Sequence, residues 1–169
     1  MTARGASRAS LRPYLPADAS RLAEIFQASI EELTGEDYSE AQQAAWAAAA
    51  DDEAAFGARL ARDLTLVALV GGEPAGFATL KEPDHIEMLY VHPEAAGQGV
   101  GALLFTALEK LAGARGAARL TADVSDTAEE FFRRRGFRPQ RRNTVPVGGE
   151  WLANTTMEKP LAAPEKAPS

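Results

Sequence analysis

The sequence predicts a single domain of the α+β class. Apolar residues recur with the 3.6-residue period of a helix in two stretches, 18–34 and 100–112. Other stretches are short β-like apolar runs, and two of them flank the Gly- and Pro-containing turn at 71–74 as a hairpin. The chain has 169 residues, which suits one domain with its own core, and no internal repeat or long linker divides it.

The N-terminal part is predicted to be mainly helical after a first strand at 10–14. Asp18 is a candidate N-cap for a helix whose buried face follows the i, i+3, i+4 pattern until Gly35 ends it. The Ala-rich stretch 39–50 predicts another helix, and 52–62 adds one or two further turns.

The middle of the chain is predicted to form strands at 64–70, 75–81 and 85–91. Side chains alternate between the two faces of a strand. On the third strand this alternation would place Ile86, Met88 and Tyr90 on one face and Glu87, Leu89 and Val91 on the other.

The C-terminal part is predicted to continue with a strand at 119–124 and a short helix opened by a capping box at 127–130. Two more strands are expected at 137–142 and 150–158. The domain boundaries are therefore set at 9–160. Residues 1–8 are expected to be a flexible leader and residues 161–169 a disordered tail rich in Pro and Ala.

Composition excludes several classes of protein and site. The chain has no Cys, which removes disulfides, thiolate zinc sites and Cys nucleophiles, and its two His residues lack metal-ligand spacing, so no metal is expected. A net charge of -6 argues against nucleic acid as a partner. No apolar run is long enough for a membrane span, and the N-terminus lacks the apolar region of a signal peptide. A cytoplasmic protein is expected.

The stretch EAAGQGVGALL, residues 94–104, is the strongest candidate for a binding site. A Walker A loop would need Gly-Lys-Ser/Thr, which is absent. A dinucleotide fingerprint would begin directly after the strand, whereas residues 92–96 intervene here, and only 68 residues follow Gly101. The remaining interpretation is a pyrophosphate site, in which backbone N–H groups and the positive end of a helix dipole face the phosphates.

The run MLYVHPEAAGQGVGALL, at 88–104, resembles the coenzyme A loop of the GNAT acetyltransferase superfamily, and FFRRRGF, at 131–137, resembles a second segment of that family. YSEAQQAAW and MEKPL are similar to its YafP-like bacterial subgroup. The resemblance covers nearly the whole chain. It implies the GNAT-like fold, a mixed and mostly antiparallel sheet of about seven strands flanked by about four helices.

The resemblance also implies acetyl-CoA as the co-substrate and places its binding residues on this chain. They are Leu89, Tyr90, Val91, Ala96, Gly97, Gln98, Gly99, Val100, Gly101, Ala102, Ser125 and Phe132. Three of these depart from the family pattern. Ala96 replaces an Arg or Gln, Ser125 replaces a frequent Asn, and Phe132 replaces the Tyr that protonates the leaving thiolate.

Two residues on the predicted strand 85–91 are candidates for the catalytic base. Glu87 and His85 are two positions apart, so an unbroken strand would point them the same way. An amine arrives mostly protonated, and a base is needed to uncover its lone pair. For each residue the alternative is a strand residue with no catalytic role.

Charge is distributed unevenly along the chain. Between Arg21 and Arg59 lie nine acids and no Lys or Arg, while six arginines crowd into 133–142. Both blocks are typical of solvated helix faces. In the GNAT-like fold the acids would favour a cationic amine, and the arginines could contact the 3′-phosphate of coenzyme A.

These observations predict an acetyl-CoA-dependent N-acetyltransferase that acts on a primary amine, small and cationic. The acceptor could be a small molecule or a peptide. The alternative is an acyl-CoA-binding regulatory module with little catalysis, which Ala96 and Phe132 keep open. Exposed strands near the C-terminus could pair across a homodimer.

Overall fold

The computed structural model describes residues 9–162. The expected leader, 1–8, and residues 163–169 of the expected tail lie outside this range. The helices are α1 Ala19–Leu33, α2 Glu40–Ala47, α3 Glu53–Arg62, α4 Val100–Ala114 and α5 Glu129–Arg133. The strands are β1 Ala9–Pro13, β2 Leu64–Val70, β3 Glu73–Lys81, β4 His85–Val91, β5 Arg119–Ser125, β6 Arg138–Val147 and β7 Glu150–Pro160.

The seven strands form one sheet in the order β1-β2-β3-β4-β5-β7-β6. Every neighbouring pair is antiparallel except β4 and β5, which run parallel. The prediction of a mixed, mostly antiparallel sheet of seven strands is confirmed. The described residues contain five helices rather than about four, because 53–62 forms a separate helix capped by Asp52, whose carboxylate accepts the Ala55 amide.

The sheet separates two hydrophobic cores. One core joins α4 and α5 to the sheet around Leu104, Leu108 and Phe132. The other joins α1, α2 and α3 to the opposite face around Leu22, Phe56 and other buried residues. Gly76 on β3 lets α4 approach closely, since a Cβ there would lie 3.0 Å from Val100 and 2.9 Å from the Tyr90 carbonyl. This contact fixes the start of α4 above β3 and β4.

A β-bulge interrupts β4 at Glu87. Thr79 of β3 pairs with Met88, and Leu80 pairs with Ile86, so Glu87 has no partner on β3. A bulge inserts one residue and shifts the alternation of side chains. The predicted face of Ile86, Met88 and Tyr90 is therefore wrong: Ile86 belongs to the core under α4, while Met88 belongs to the core under α1.

Two predicted helix caps also differ. Asp18 directly precedes α1, but its carboxylate makes no cap bond with that helix. It instead accepts two hydrogen bonds from Arg12, at 2.7 and 2.8 Å, and one from the Leu15 amide. Thr127 donates to Asp37 rather than capping α5, and Ser125 accepts the Ala128 amide. Side chains used in tertiary contacts are not available for local caps.

The longest helices in 9–162, α1 and α4, have 15 residues each. No helix in this range has the length and apolar composition that a membrane crossing requires.

Candidate active site

A cavity of about 390 Å³ opens where β4 and β5 separate. The two strands pair only at His85 with Thr121 and at Ile86 with Ala122, so a gap widens toward their C-terminal ends. The cavity is lined by β4 from 86 to 91, β5 from 122 to 125, the start of α4, α5, the end of α1, α2 and the β6–β7 hairpin. The cavity thus extends from Gly101, at the start of α4, to residues on the opposite side of the sheet.

The glycine-rich loop, 96–101, has a backbone that suits an anion. Gly97 and Gly99 both have φ of +80°, and nothing lies within 4 Å of the place where a Cβ would stand. Gly99 is the N-cap of α4 and has no capping side chain. The first three amides of a helix have no partner within it, so those of 100–102 are free to meet a ligand.

The amides of two loop residues, Ala96 and Gln98, are bonded within the turn and are not available to a phosphate. The Ala96 amide donates to Pro93 O at 3.1 Å, and the Gln98 amide donates to Ala95 O at 3.3 Å. The Gln98 side chain also folds back onto Glu94 O. Turn formation before the helix uses these donors. The free donors of the loop are therefore Gly97, Gly99 and the first turn of α4, rather than every residue from 96 to 102.

Gly101 lies close to an aromatic ring of α5. A Cβ at Gly101 would lie 3.3 Å from the ring of Phe131 on α5. The guanidinium of Arg135 lies 3.6 Å from the centre of the same ring and donates to the Phe131 carbonyl. Arg135 is thereby held beside the start of α4.

Strand β4 presents free amides to the gap at Leu89 and Val91. The His92 amide donates to Ala75 of β3, and the register continues with Tyr90 opposite Phe77. In an antiparallel pair, alternate residues direct their N–H groups to the partner strand. The Tyr90 amide therefore faces β3, while those of Leu89 and Val91 face the gap left by β5. Of the three β4 residues predicted to bind the coenzyme, Leu89 and Val91 thus have amides that face the gap, and Tyr90 does not.

Glu87 is the carboxylate that β4 contributes to the cavity. It is partly exposed, and the bulge leaves it without a partner on β3. The extra residue at the bulge thus places the Glu87 carboxylate just before the C-terminal end of β4, where the free amides of Leu89 and Val91 lie.

His85 has a different environment from Glu87, because the bulge breaks the alternation between them. Its Nδ1 lies 2.8 Å from the Thr121 hydroxyl, and it is absent from the residues that line the cavity. Its Nε2 lies 3.9 Å from Asp123, beyond hydrogen-bond distance. The structure therefore does not bring the two predicted base candidates together.

Asp123 is a cavity residue that the sequence interpretation did not assign to the acceptor site. Its carboxylate accepts a 2.7 Å hydrogen bond from Thr156, whose hydroxyl accepts one from Asn143. Half of its side chain remains exposed. In the sequence Asp123 is a polar residue between the apolar Ala122 and Val124 of a predicted strand, and the structure places it on the exposed face of β5.

Phe132 and Ser125 occupy the far side of the gap. Phe132 lines the cavity but is a core residue, 5% exposed and packed edge-on against Phe105 and Phe137. Ser125 ends β5, and its hydroxyl accepts the Ala128 amide. Both residues shape the gap: Phe132 has no ionisable proton, and Ser125 uses its hydroxyl oxygen to accept the Ala128 amide.

Two tyrosines line the cavity, and burial raises the pKa of each. The Tyr38 hydroxyl donates to Ala153 O at 2.7 Å and accepts the Asp126 amide at 2.9 Å. Burial raises the pKa of Tyr90 to about 12, and its ring packs against Phe26 and Phe77. Both hydroxyls stay protonated at neutral pH.

None of the acids or arginines of the two charged blocks lines the cavity, although one of the arginines lies beside α4. None of the nine acids between Arg21 and Arg59 is among the cavity-lining residues, whose carboxylates are Glu87 and Asp123. Most of the six arginines are held by neighbours: Arg133 by Glu129, Arg134 by Glu130, Arg141 by Asn143 and Arg142 by Asp126. Arg135 is the one placed beside α4.

Among residues 9–162 there is no group of three or more His, Asp or Glu side chains placed to hold a metal ion.

Comparison with known proteins identifies relatives over most of the chain. The family model described as Acetyltransferase (GNAT) domain matches residues 34–161. The uncharacterized N-acetyltransferase YafP of Escherichia coli (strain K12) is 34% identical over 147 residues, which cover 87% of this chain and 93% of that protein. These similarities confirm the predicted resemblance, including the YafP-like subgroup.

Solved structures agree with the fold. A GCN5-related N-acetyltransferase from Rhodopseudomonas palustris, described as an aminotransferase of class II, has a TM-score of 0.90 and 62% identity, covering 95% of this chain and all of that chain. The PaiA N-acetyltransferase from Thermoplasma acidophilum, solved in complex with coenzyme A, has a TM-score of 0.75 and 20% identity, covering 91% and 99%. The second likeness shows the fold alone.

Proposed function

The chain belongs to the GNAT acetyltransferase family, and on that premise we propose that it transfers an acetyl group directly from acetyl-CoA to a small, cationic primary amine. The observation that carries this proposal is the cavity whose lining brings together Gly101, at the end of the glycine-rich loop, the β4 residues Leu89 and Val91, and the carboxylate of Glu87. The binding of both reactants in one cleft supplies proximity and orientation, which account for a large part of many rate enhancements.

The residues present fit the co-substrate. Gly97 and Gly99 leave open space above free amides, as a pyrophosphate needs, and the dipole of α4 favours negative charge there. Arg135 adds a cation beside this loop. The gap between β4 and β5 continues from the loop into the cavity and has the extended form that a pantetheine arm requires. When bound, acetyl-CoA supplies the acetyl group as an activated thioester.

Leu89 and Val91 are proposed to polarise the acetyl carbonyl. Their amides face the gap, and strand pairing with β3 fixes their direction. Donors that are already oriented stabilise negative charge as it develops on the oxygen, without the cost of turning toward it.

Glu87 is proposed to be the general base. An alkylamine has a pKa near 10, so most of it carries a proton at pH 7. A carboxylate in the same cavity can take this proton, directly or through one water, and release the nucleophilic lone pair. Its position at the bulge places it on β4 just before Leu89 and Val91, and its side chain lines the cavity.

The leaving thiolate is proposed to depart without a protein acid. Phe132 has no ionisable proton, and the Tyr38 proton is directed to Ala153 O. A thiol is acidic enough to leave as the anion at a modest cost, since its pKa is about 8.5. Solvent then supplies the proton.

A thiol-release assay with mass-spectrometric detection of the product tests the proposal. The full chain, acetyl-CoA and a panel of primary amines should give free thiol and N-acetylated amine in equal amounts. Thiol release without acetylated amine would show hydrolysis instead. Tight acetyl-CoA binding without release in the presence of any amine would overturn the proposal.

A further inference from the structure

We propose that the acceptor is a monoamine with an aromatic or branched aliphatic body, which lies against one apolar wall of the cavity while its amino group lies near Glu87 and Asp123. This inference rests on the proposed acetyl transfer and narrows its substrate class. The wall, called here the acceptor wall, consists of Leu33, Tyr38, Trp46, Val145, Val147 and Leu152.

The acceptor wall comes from two separate parts of the fold. The end of α1, the following turn and α2 supply one half, and the β6–β7 hairpin supplies the other. The Tyr38 and Trp46 rings meet edge-on with centroids 5.3 Å apart, and Trp46 also meets Tyr90 at 6.4 Å. Tyr38 is tied to both halves, since its hydroxyl bonds Ala153 of β7 and the backbone after β5.

The acceptor wall is chemically apolar even where it contains a tyrosine. Both hydrogen bonds of the Tyr38 hydroxyl are made to backbone atoms, so the cavity meets its ring rather than its oxygen. Leu33 is 40% exposed and lies at the edge of this wall. An apolar side chain left in water at the edge of an apolar cavity gains stability when an apolar ligand covers it.

Charge in the cavity is restricted to one end. Among the described residues that line it, the acids are Glu87 and Asp123, and no Lys or Arg is present. A polyamine would place its second ammonium against the acceptor wall, away from these carboxylates. An amino acid would bring a carboxylate into a cavity whose lining contains only negative charge. Both would leave an ionic group poorly solvated and unpaired.

Asp123 is positioned to hold the ammonium group of a monoamine. Thr156 and Asn143 bond in sequence behind it and fix the carboxylate, while half of its side chain remains open. Asp123 can hold the ammonium group until Glu87 takes its proton, which leaves a neutral amine whose lone pair is free to attack. This division predicts that Asp123 affects binding of the amine more than the rate of the chemical step.

A matched set of acceptor amines tests the proposed substrate class. 2-Phenylethylamine carries the predicted body and a single charge, phenylalanine adds only a carboxylate to it, and spermidine replaces the aromatic body with further cations. With the full chain and saturating acetyl-CoA, kcat/KM should be highest for 2-phenylethylamine, by at least about ten-fold over both others. Isoamylamine, which is branched and aliphatic, should lie closer to 2-phenylethylamine than to spermidine.

Variants at the acceptor wall provide a second test, and a matched control variant separates loss of the wall from loss of folding. Leu33→Gln should lower kcat/KM for 2-phenylethylamine about three-fold or more, with little change for spermidine. Leu15→Gln is the matched control, because Leu15 is 54% exposed and lies outside the cavity. Asp123→Asn should raise KM for 2-phenylethylamine with a smaller change in kcat.

The outcomes separate this inference from the proposed function. If spermidine or phenylalanine is acetylated best, the inference is overturned while acetyl transfer stands. If Leu33→Gln affects spermidine as much as 2-phenylethylamine, the acceptor wall does not select the body. If acetyl-CoA binds and no amine in this set is acetylated, the inference is overturned; acetyl transfer itself is overturned only if the whole panel of primary amines also gives no acetylated product.

Discussion

The guanidinium of Arg135 stacks on Phe131, 3.6 Å from the ring centre, and the ring itself covers Gly101 at the first turn of α4. This contact connects α5 to the loop proposed to bind the phosphates. It also fixes a cation whose neighbours in sequence, Arg133 and Arg134, are paired with glutamates one turn earlier.

Replacement of Arg135 by Ala is therefore expected to weaken acetyl-CoA binding. One charge-assisted contact contributes roughly 1.5–3 kcal/mol, so the dissociation constant should rise by at least about ten-fold at low salt, and by less at high salt. Arg134→Ala is the matched control, because its guanidinium pairs with Glu130 on an exposed surface. Isothermal titration calorimetry at two salt concentrations measures both. Equal effects of the two substitutions would remove Arg135 from the coenzyme site.

Replacement of Gly99 by Ala should impair the same site for a conformational reason. Its φ of +80° costs an L-residue on the order of 1–2 kcal/mol, and the added methyl group would enter the open space above the free amides. We expect a lower melting temperature and at least about ten-fold weaker acetyl-CoA binding.

Gly113→Ala serves as its control in the same helix. Gly113 lies within α4, has no unusual φ, and has nothing within 4 Å of an added Cβ. Alanine should raise stability by up to about 1 kcal/mol and leave acetyl-CoA affinity unchanged. A loss of affinity in Gly113→Ala as large as in Gly99→Ala would mean that the loop geometry is not responsible.

The free energy of unfolding should also depend on pH, because Asp18 is protonated at low pH. Hydrogen bonds from Arg12 hold the pKa of this buried carboxyl below its ordinary value. A carboxyl whose pKa is lowered on folding stabilises the folded state at every pH above its ordinary pKa near 4. This stabilisation is lost as the pH falls through the pKa of the folded state. Chemical denaturation of Asp18→Asn should therefore show lower stability at pH 7 and a weaker decline below pH 4 than the parent chain. An identical acid decline in both proteins would contradict this assignment.

The sequence allowed the fold to be predicted where its periodic patterns are local. The long helices, the positions of the strands along the chain and the glycine-rich loop depend on patterns within about 15 residues. The bulge at Glu87 could not be read in the same way, because it depends on how β4 pairs with β3. The bulge changed which side chains of β4 share a face. It therefore removed the reason to expect that His85 and Glu87 point the same way.

The glycine-rich loop could be predicted from the sequence, whereas the other residues that line the cavity could be predicted only in part. Positive φ angles at Gly97 and Gly99 agree with the expected use of glycine, whereas the internal bonds of the Ala96 and Gln98 amides arise from turns that no spacing indicated. Asp123 and the acceptor wall come from distant segments that meet only in the folded chain. The block of nine acids was misleading because a run of charge in sequence does not show which surface it faces.

The rate of acetyl transfer by Glu87→Gln tests the central claim most directly. The substitution keeps the size of the side chain and removes the base, so kcat should fall by about 10² or more, while the dissociation constant of acetyl-CoA stays within about two-fold. Glu73→Gln, an exposed change outside the cavity, should keep full activity. A Glu87→Gln enzyme with the parent kcat toward 2-phenylethylamine and every other accepted amine would contradict the proposed role of Glu87.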